Sequence, residues 1–134
     1  MLAALASLPY EVVVVEGAHA LEPPPGAMLV HCDDWERGPG ASLRCGLAAL
    51  PAETARAAIV LADGPGLDAR AVERVLADPS PLSAATYDGR TRGHPVALDR
   101  SLWASVPDDG ARALEPALVD CRDLRPPGDV DVRI

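Results

Sequence analysis

Short hydrophobic runs, each closed by glycine, proline or aspartate, alternate along this chain with stretches whose apolar residues recur at helical spacing. Leu2–Leu8 reads as a short Ala/Leu helix that Pro9 ends. Glu11–Glu16 encloses consecutive valines, a β-branched run without alternation, which predicts a strand buried on both faces as in a parallel sheet. Gly17 breaks it, and Pro23–Pro25 forms a stiff connector into a second strand at Met28–Val30. After the Gly38-Pro39-Gly40 loop, Ser42, Leu43, Leu47 and Leu50 fit one face of a helix over Ala41–Leu50. Ala57–Ala62 is a third buried strand, interrupted by Asp63-Gly64-Pro65-Gly66. Asp68 is placed as the N-cap of a helix over Ala69–Ala77, which Asp78-Pro79 ends.

The second half is less regular. Ala84–Tyr87 and Val96–Leu98 read as strands around an Asp88–His94 turn, Arg100–Ser105 and Asp109–Glu115 as short helices, and Val119–Cys121 as a further strand. Strand and helix in alternation is the pattern of βαβ units and a parallel, Rossmann-like sheet. At 134 residues the chain is read as one α/β domain spanning 1–134.

Composition narrows the chemistry. Phenylalanine is absent, so the core is built from Ala, Val, Leu and Ile. All 12 basic residues are arginine, which excludes a phosphate loop ending in Gly-Lys-Ser/Thr and any lysine-nucleophile or Schiff-base reaction. A net charge of −8 argues against a generic nucleic-acid or anionic-membrane binder. Cys32, Cys45 and Cys121 contain no CxxC pair, so neither a disulfide framework nor a zinc site is expected, and a reducing cytoplasm is the simplest reading. The N-terminus lacks the positive region of a signal peptide, and no apolar run reaches the ~20 residues of a membrane helix.

Several positions can carry chemistry. Asp63 follows a predicted strand directly, where open α/β sheets bind ligands, and its carboxylate there can hold Mg²⁺ or simply stabilise an Asx turn. Asp129 and Asp131 would share one face of an extended segment, converging on a cation or lying on a solvated terminus. Gly38 to Arg44 is a glycine loop opening a helix, with backbone N–H groups, the Ser42 hydroxyl and the Arg44 guanidinium near its start; it either binds a phosphate, sugar or base edge or simply caps the helix beside an exposed arginine. Arg92-Gly93-His94-Pro95 precedes a strand, where His94 either meets a ligand or closes the turn. His31 and Cys32 are adjacent and would face opposite ways, which counts against a shared metal site. Ser42 has no evident His/Asp partner for a catalytic triad.

In family order, the chain carries Val12–Ala18, Trp35–Leu47 with Gly38-Pro39-Gly40-Ala41-Ser42-Leu43-Arg44, Leu61-Ala62-Asp63-Gly64-Pro65, Arg92-Gly93-His94-Pro95-Val96, Asp109-Gly110-Ala111-Arg112 and Gly128-Asp129-Val130-Asp131. This set resembles the MobA-like NTP transferases, particularly the molybdenum cofactor cytidylyltransferase branch. The resemblance implies a three-layer α/β/α fold of the nucleotide-diphospho-sugar transferase type with a mostly parallel sheet. It also implies transfer of a nucleotidyl group from an NTP, commonly CTP, to a phosphorylated acceptor such as molybdopterin, with Mg²⁺ as cofactor. Asp63 and Asp131 match the catalytic, metal-binding positions; Gly40, Ser42 and Arg44 match the nucleotide-binding region; Arg92 and His94 match the acceptor side.

The departures shape the expectation. Relatives open with a strand and an Ala-Ala-Gly-x-Ser-x-Arg-Met-Gly-x-Pro-Lys loop that grips the triphosphate. Here the chain starts after that element and has no lysine, so it reads as a domain truncated at the N-terminus and short of activity by itself. Cys32 stands where relatives often have Asn, and Val132 where Thr is usual. A non-catalytic module that keeps the fold is the alternative, with a partner chain able to complete the sheet. A flavodoxin- or response-regulator-like domain shares the βαβ order, but it needs an acidic cluster where Glu16-Gly17-Ala18-His19 supplies one carboxylate.

Overall fold

The structure, a computed structural model, describes residues 12–16, 26–60, 67–110 and 114–127. The predicted Leu2–Leu8 helix and the Pro23–Pro25 connector lie outside them.

Six strands and two α-helices are ordered along the described chain as β1 (Val13–Glu16), β2 (Met28–His31), α1 (Pro39–Ala48), β3 (Arg56–Ile59), α2 (Ala69–Ala77), β4 (Leu82–Thr86), β5 (Val96–Asp99) and β6 (Ala117–Asp120). Short 3₁₀ helices at Trp35–Arg37 and Arg100–Ser105 precede α1 and follow β5. The α2 expectation holds to the residue: the Asp68 carboxylate accepts the Arg70 amide at 2.9 Å and caps Ala69–Ala77.

The strands form two sheets among the described residues. β1 and β2 pair in parallel, Val13 opposite Met28 and Glu16 opposite His31. The larger sheet has the order β3-β5-β4-β6 and is mixed. β4 and β6 run parallel, whereas β5 is antiparallel to both β3 and β4. This corrects the mostly parallel expectation. Residues 87–95 alone join β4 to β5, fewer than the dozen or so that a parallel crossover needs, so the pair turns back on itself.

Alternation along β4 and β5 divides the core into two layers. Leu82, Ala84, Val96 and Leu98 face α1 and the second 3₁₀ helix, meeting Leu47, Trp103 and Val106. Ala85 and Ala97 face the other way, against Ala71 and Val75 of α2 and against Cys121 and Leu124. Helices on both faces give the three-layer α/β/α arrangement. The alanines on the α2 side let that helix approach closely, while the larger aliphatic residues opposite each contribute roughly 2 kcal/mol by burial.

Burial falls on different strands from those expected. β4 is buried throughout, whereas in the valine run only Val14 is buried and Val13 and Val15 are half-buried. Among the described residues β1 pairs with β2 alone. The helix expected over Asp109–Glu115 also does not form in its described part. The Gly110 amide closes a tight turn onto the Pro107 carbonyl at 2.9 Å with φ +101, Leu114 and Glu115 are not helical, and residues 111–113 lie outside the description.

Candidate functional site

The start of α1 is locked against the loop at residues 106–110. Gly38 adopts φ +132 as the residue before the helix, and Pro39 follows in the first turn, where its missing N–H costs nothing. Gly40 donates its amide to the Asp108 carbonyl at 2.7 Å. A side chain there is sterically excluded, because a Cβ on Gly40 would stand 1.6 Å from the Pro107 carbonyl oxygen. The glycines of this segment therefore bring two backbones into contact, and the Gly40 amide is already used within the protein.

Side chains reinforce that contact. Arg44, on α1, donates to the Val106 carbonyl and pairs with the Asp108 carboxylate. Arg37 reaches the other oxygen of the same carboxylate at 3.4 Å. The Arg44 hydrogen bond, joined by the Arg37 charge, holds Asp108 below the ordinary carboxylate range. Ser42 lies half-buried between Gly40 and Arg44 on the same helix. Gly40, Ser42 and Arg44 thus share one locality, and Asp108 joins them. Sequence reasoning missed Asp108, since of the adjacent Asp108 and Asp109 nothing local marks which one the arginines take.

A second fastening overturns a sequence expectation. Cys32, fully buried just after β2, is joined to Cys45 of α1 in a disulfide with Cα atoms 5.9 Å apart. The cysteines had been expected to stay unpaired. Their separation of 13 residues carries no local signal, and only the packing of α1 onto β1 and β2 brings them together. Cys121 is unbridged and buried. His31 is exposed while Cys32 is buried, as the opposed directions of adjacent residues require, and the imidazole sits 3.5 Å from Glu16 and 3.2 Å from Asp33.

Arg92 and His94 belong to the β4–β5 connection. The Asp88 carboxylate organises it by accepting the amides of Arg90 and Thr91 at 2.8 and 2.7 Å, which places its pKa far below the usual range. Arg92 donates to the Leu114 carbonyl. The Gly93 amide bonds to the Ala85 carbonyl at 2.7 Å, and the Tyr87 hydroxyl donates to the His94 carbonyl at 2.7 Å. Burial raises the Tyr87 pKa to about 12. These contacts fix Arg92 and His94 beside the ends of β4 and β5.

Asp63 and Asp131, the two positions expected to hold Mg²⁺, lie outside the described residues, as does Asp129. Among the described residues no group of three His, Cys, Asp or Glu side chains is placed to hold a metal ion. No helix among them is long and apolar enough to cross a membrane.

Residues 1–119 match the family described as the MobA-like NTP transferase domain. No curated protein matches the sequence significantly. Among solved structures, the fold is similar to that of a protein from Mycobacterium sp. strain JC1, a homologue of Mycobacterium tuberculosis rv0371c. The TM-score is 0.66 at 19% identity, over 89% of this chain and 68% of that one.

Proposed function

From its membership of the MobA-like NTP transferase family, we propose that this chain is a nucleotidyltransferase of the cytoplasm that takes CTP as donor and a phosphorylated molybdopterin-type acceptor. A phosphate oxygen of the acceptor attacks the α-phosphorus of the nucleotide, and pyrophosphate leaves. In this reading the opening of α1, through Gly40, Ser42 and Arg44, holds the nucleotide, while Arg92 and His94 face the acceptor. Mg²⁺ supplies charge neutralisation in such chemistry, and Asp63 and Asp131 are the residues assigned to it.

The observation that carries the reading is the match of the family along residues 1–119, which takes in every candidate position except Asp129 and Asp131.

Calorimetric titration with CTP, GTP and ATP, followed by pyrophosphate release in the presence of acceptor, tests the assignment. CTP is expected to bind most tightly, and Asp63→Ala is expected to lower acceptor-dependent release by at least about 100-fold. Absence of binding by any of the three nucleotides at millimolar concentration would overturn it.

One observation favours a second reading, a binding module without turnover. Asp108 already occupies Arg37 and Arg44, and the chain has no lysine to replace them at a triphosphate. Acceptor or nucleotide binding with pyrophosphate release no faster than the background identifies the module. We also propose that a partner chain adds a strand at the β1 or β3 end of the sheets, which carry no further strand among the described residues. A solution mass above that of one chain is the expected result.

A further inference from the structure

The Cys32–Cys45 bridge occupies a mechanically distinct place. Among the described residues β1 and β2 form a two-stranded sheet, and α1 packs on both of those strands. The same helix sends Leu47 into the core of the four-stranded sheet, so among the described residues the small sheet is attached to the main body chiefly through α1. The disulfide closes that attachment covalently, from the end of β2 to the second turn of α1. Cys45 is half-buried and Cys32 fully buried, so Cys45 is the more exposed member of the pair. Neither of the two core clusters includes either cysteine.

We propose that this bridge is a reversible redox latch, which fastens the β1–β2 sheet to α1 when oxidised and releases it when reduced. In reduction, a thiolate of a small dithiol attacks Cys45 Sγ. The Cys32–Cys45 bond breaks, and Cys32 leaves as a thiolate that takes up a proton. The second thiol of the reductant then displaces Cys45 from the mixed disulfide, carrying away the oxidised dithiol as a cyclic disulfide and returning Cys45 as a thiol. Re-formation passes the two electrons to a small disulfide such as oxidised glutathione. In a reducing compartment such a bridge is transient by nature. The latch also controls nucleotide affinity, a consequence that rests on the reading of Gly40, Ser42 and Arg44 as nucleotide-binding residues.

The full chain, equilibrated with oxidised glutathione or with dithiothreitol, tests this directly. Alkylation after unfolding is expected to modify Cys121 alone in the oxidised form and all three cysteines in the reduced form. Hydrogen exchange followed by mass spectrometry is expected to quicken at least tenfold over residues 26–48 on reduction, with β4 and β5 unchanged. CTP affinity is expected to fall at least fivefold. Cys45→Ser should exchange like the reduced form under both conditions, and Cys121→Ser should still switch.

The latch is overturned if all three cysteines are alkylated in the oxidised form, or if residues 26–48 exchange equally in both forms. It is also overturned if reduction quickens exchange through β4 and β5 as well, since the bridge would then be a general staple. Failure of CTP to bind either form would sink the nucleotidyltransferase reading, while the exchange contrast still judges the latch on its own.

Discussion

Replacing Gly40 by alanine inserts one methyl group at the tightest backbone contact among the described residues. Its Cβ would lie 1.6 Å from the Pro107 carbonyl oxygen and 2.7 Å from the carbonyl carbon. Neither neighbour is the free end of a side chain, so α1 and the 106–110 loop must separate by more than an ångström. Overpacking of this kind costs roughly 1–3 kcal/mol. Separation also breaks the Gly40 amide bond to Asp108, leaving a buried donor unpaired for about another 1–3 kcal/mol. Alanine in a helix returns at most about 1 kcal/mol. The net loss is about 3 kcal/mol, a large part of the ~5–15 kcal/mol that stabilises a domain, and it corresponds to a fall in Tm of roughly 10 °C.

Urea unfolding followed by tryptophan fluorescence measures the loss, because Trp103 is buried against the core that the 106–110 loop closes. Gly26→Ala is the control. Gly26, unlike the helical Gly40, has a positive φ, +84, and nothing lies within 4 Å of its Cβ, so only a backbone penalty of about 1–2 kcal/mol applies there. A Gly40→Ala protein as stable as wild type, or no less stable than Gly26→Ala, would refute the locked contact.

Arg56 donates to the carbonyls of Ser80 and Val75 and to the Ser83 hydroxyl, and it pairs with Asp99. Arg56→Met should therefore cost about 3 kcal/mol in urea unfolding, with Arg56→Lys recovering less than half of it. Cys45→Ser in oxidising buffer should lower stability by about 3 kcal/mol, the loop-closure value for a bridge of this span, as read from thermal unfolding. Arg74 holds the Asp123 carboxylate down to about 2. That contribution is present above the unfolded value near 3.9 and is lost as pH falls towards 2, so the Arg74→Gln protein should show a shallower acid transition. Tyr87 moves in the opposite sense. Its folded pKa of about 12 exceeds the unfolded value near 10, so its contribution is complete below pH 10 and vanishes as pH rises towards 12. Urea midpoints of Tyr87→Phe between pH 9 and 12 should decline less than those of wild type.

Which features could be read in advance follows from how local their causes are. Asp68 and the Ala69–Ala77 helix were legible because a cap, a helical period and an Asp-Pro stop all act within a few residues. The clustering of Gly40, Ser42 and Arg44 was legible for the same reason, since they occupy one helix start. What holds that start was not. Asp108 and Val106 reach Arg44 from more than sixty positions away, and Cys32 meets Cys45 only because α1 lies across β1 and β2.

The chain's own pattern of apolar runs and breakers was sufficient for the alternation of strands and helices, for an aliphatic core, and for arginine as its basic side chain. These follow from steric preference and composition, which each residue carries with it. Tertiary structure alone decided that β5 turns back between β3 and β4, that β4 and not the valine run is wholly buried, and that Asp108 is clasped by two arginines. Pairing direction, burial and ion pairing depend on which distant segments pack together, and the free energy of that packing belongs to the assembled molecule and to no local stretch of it.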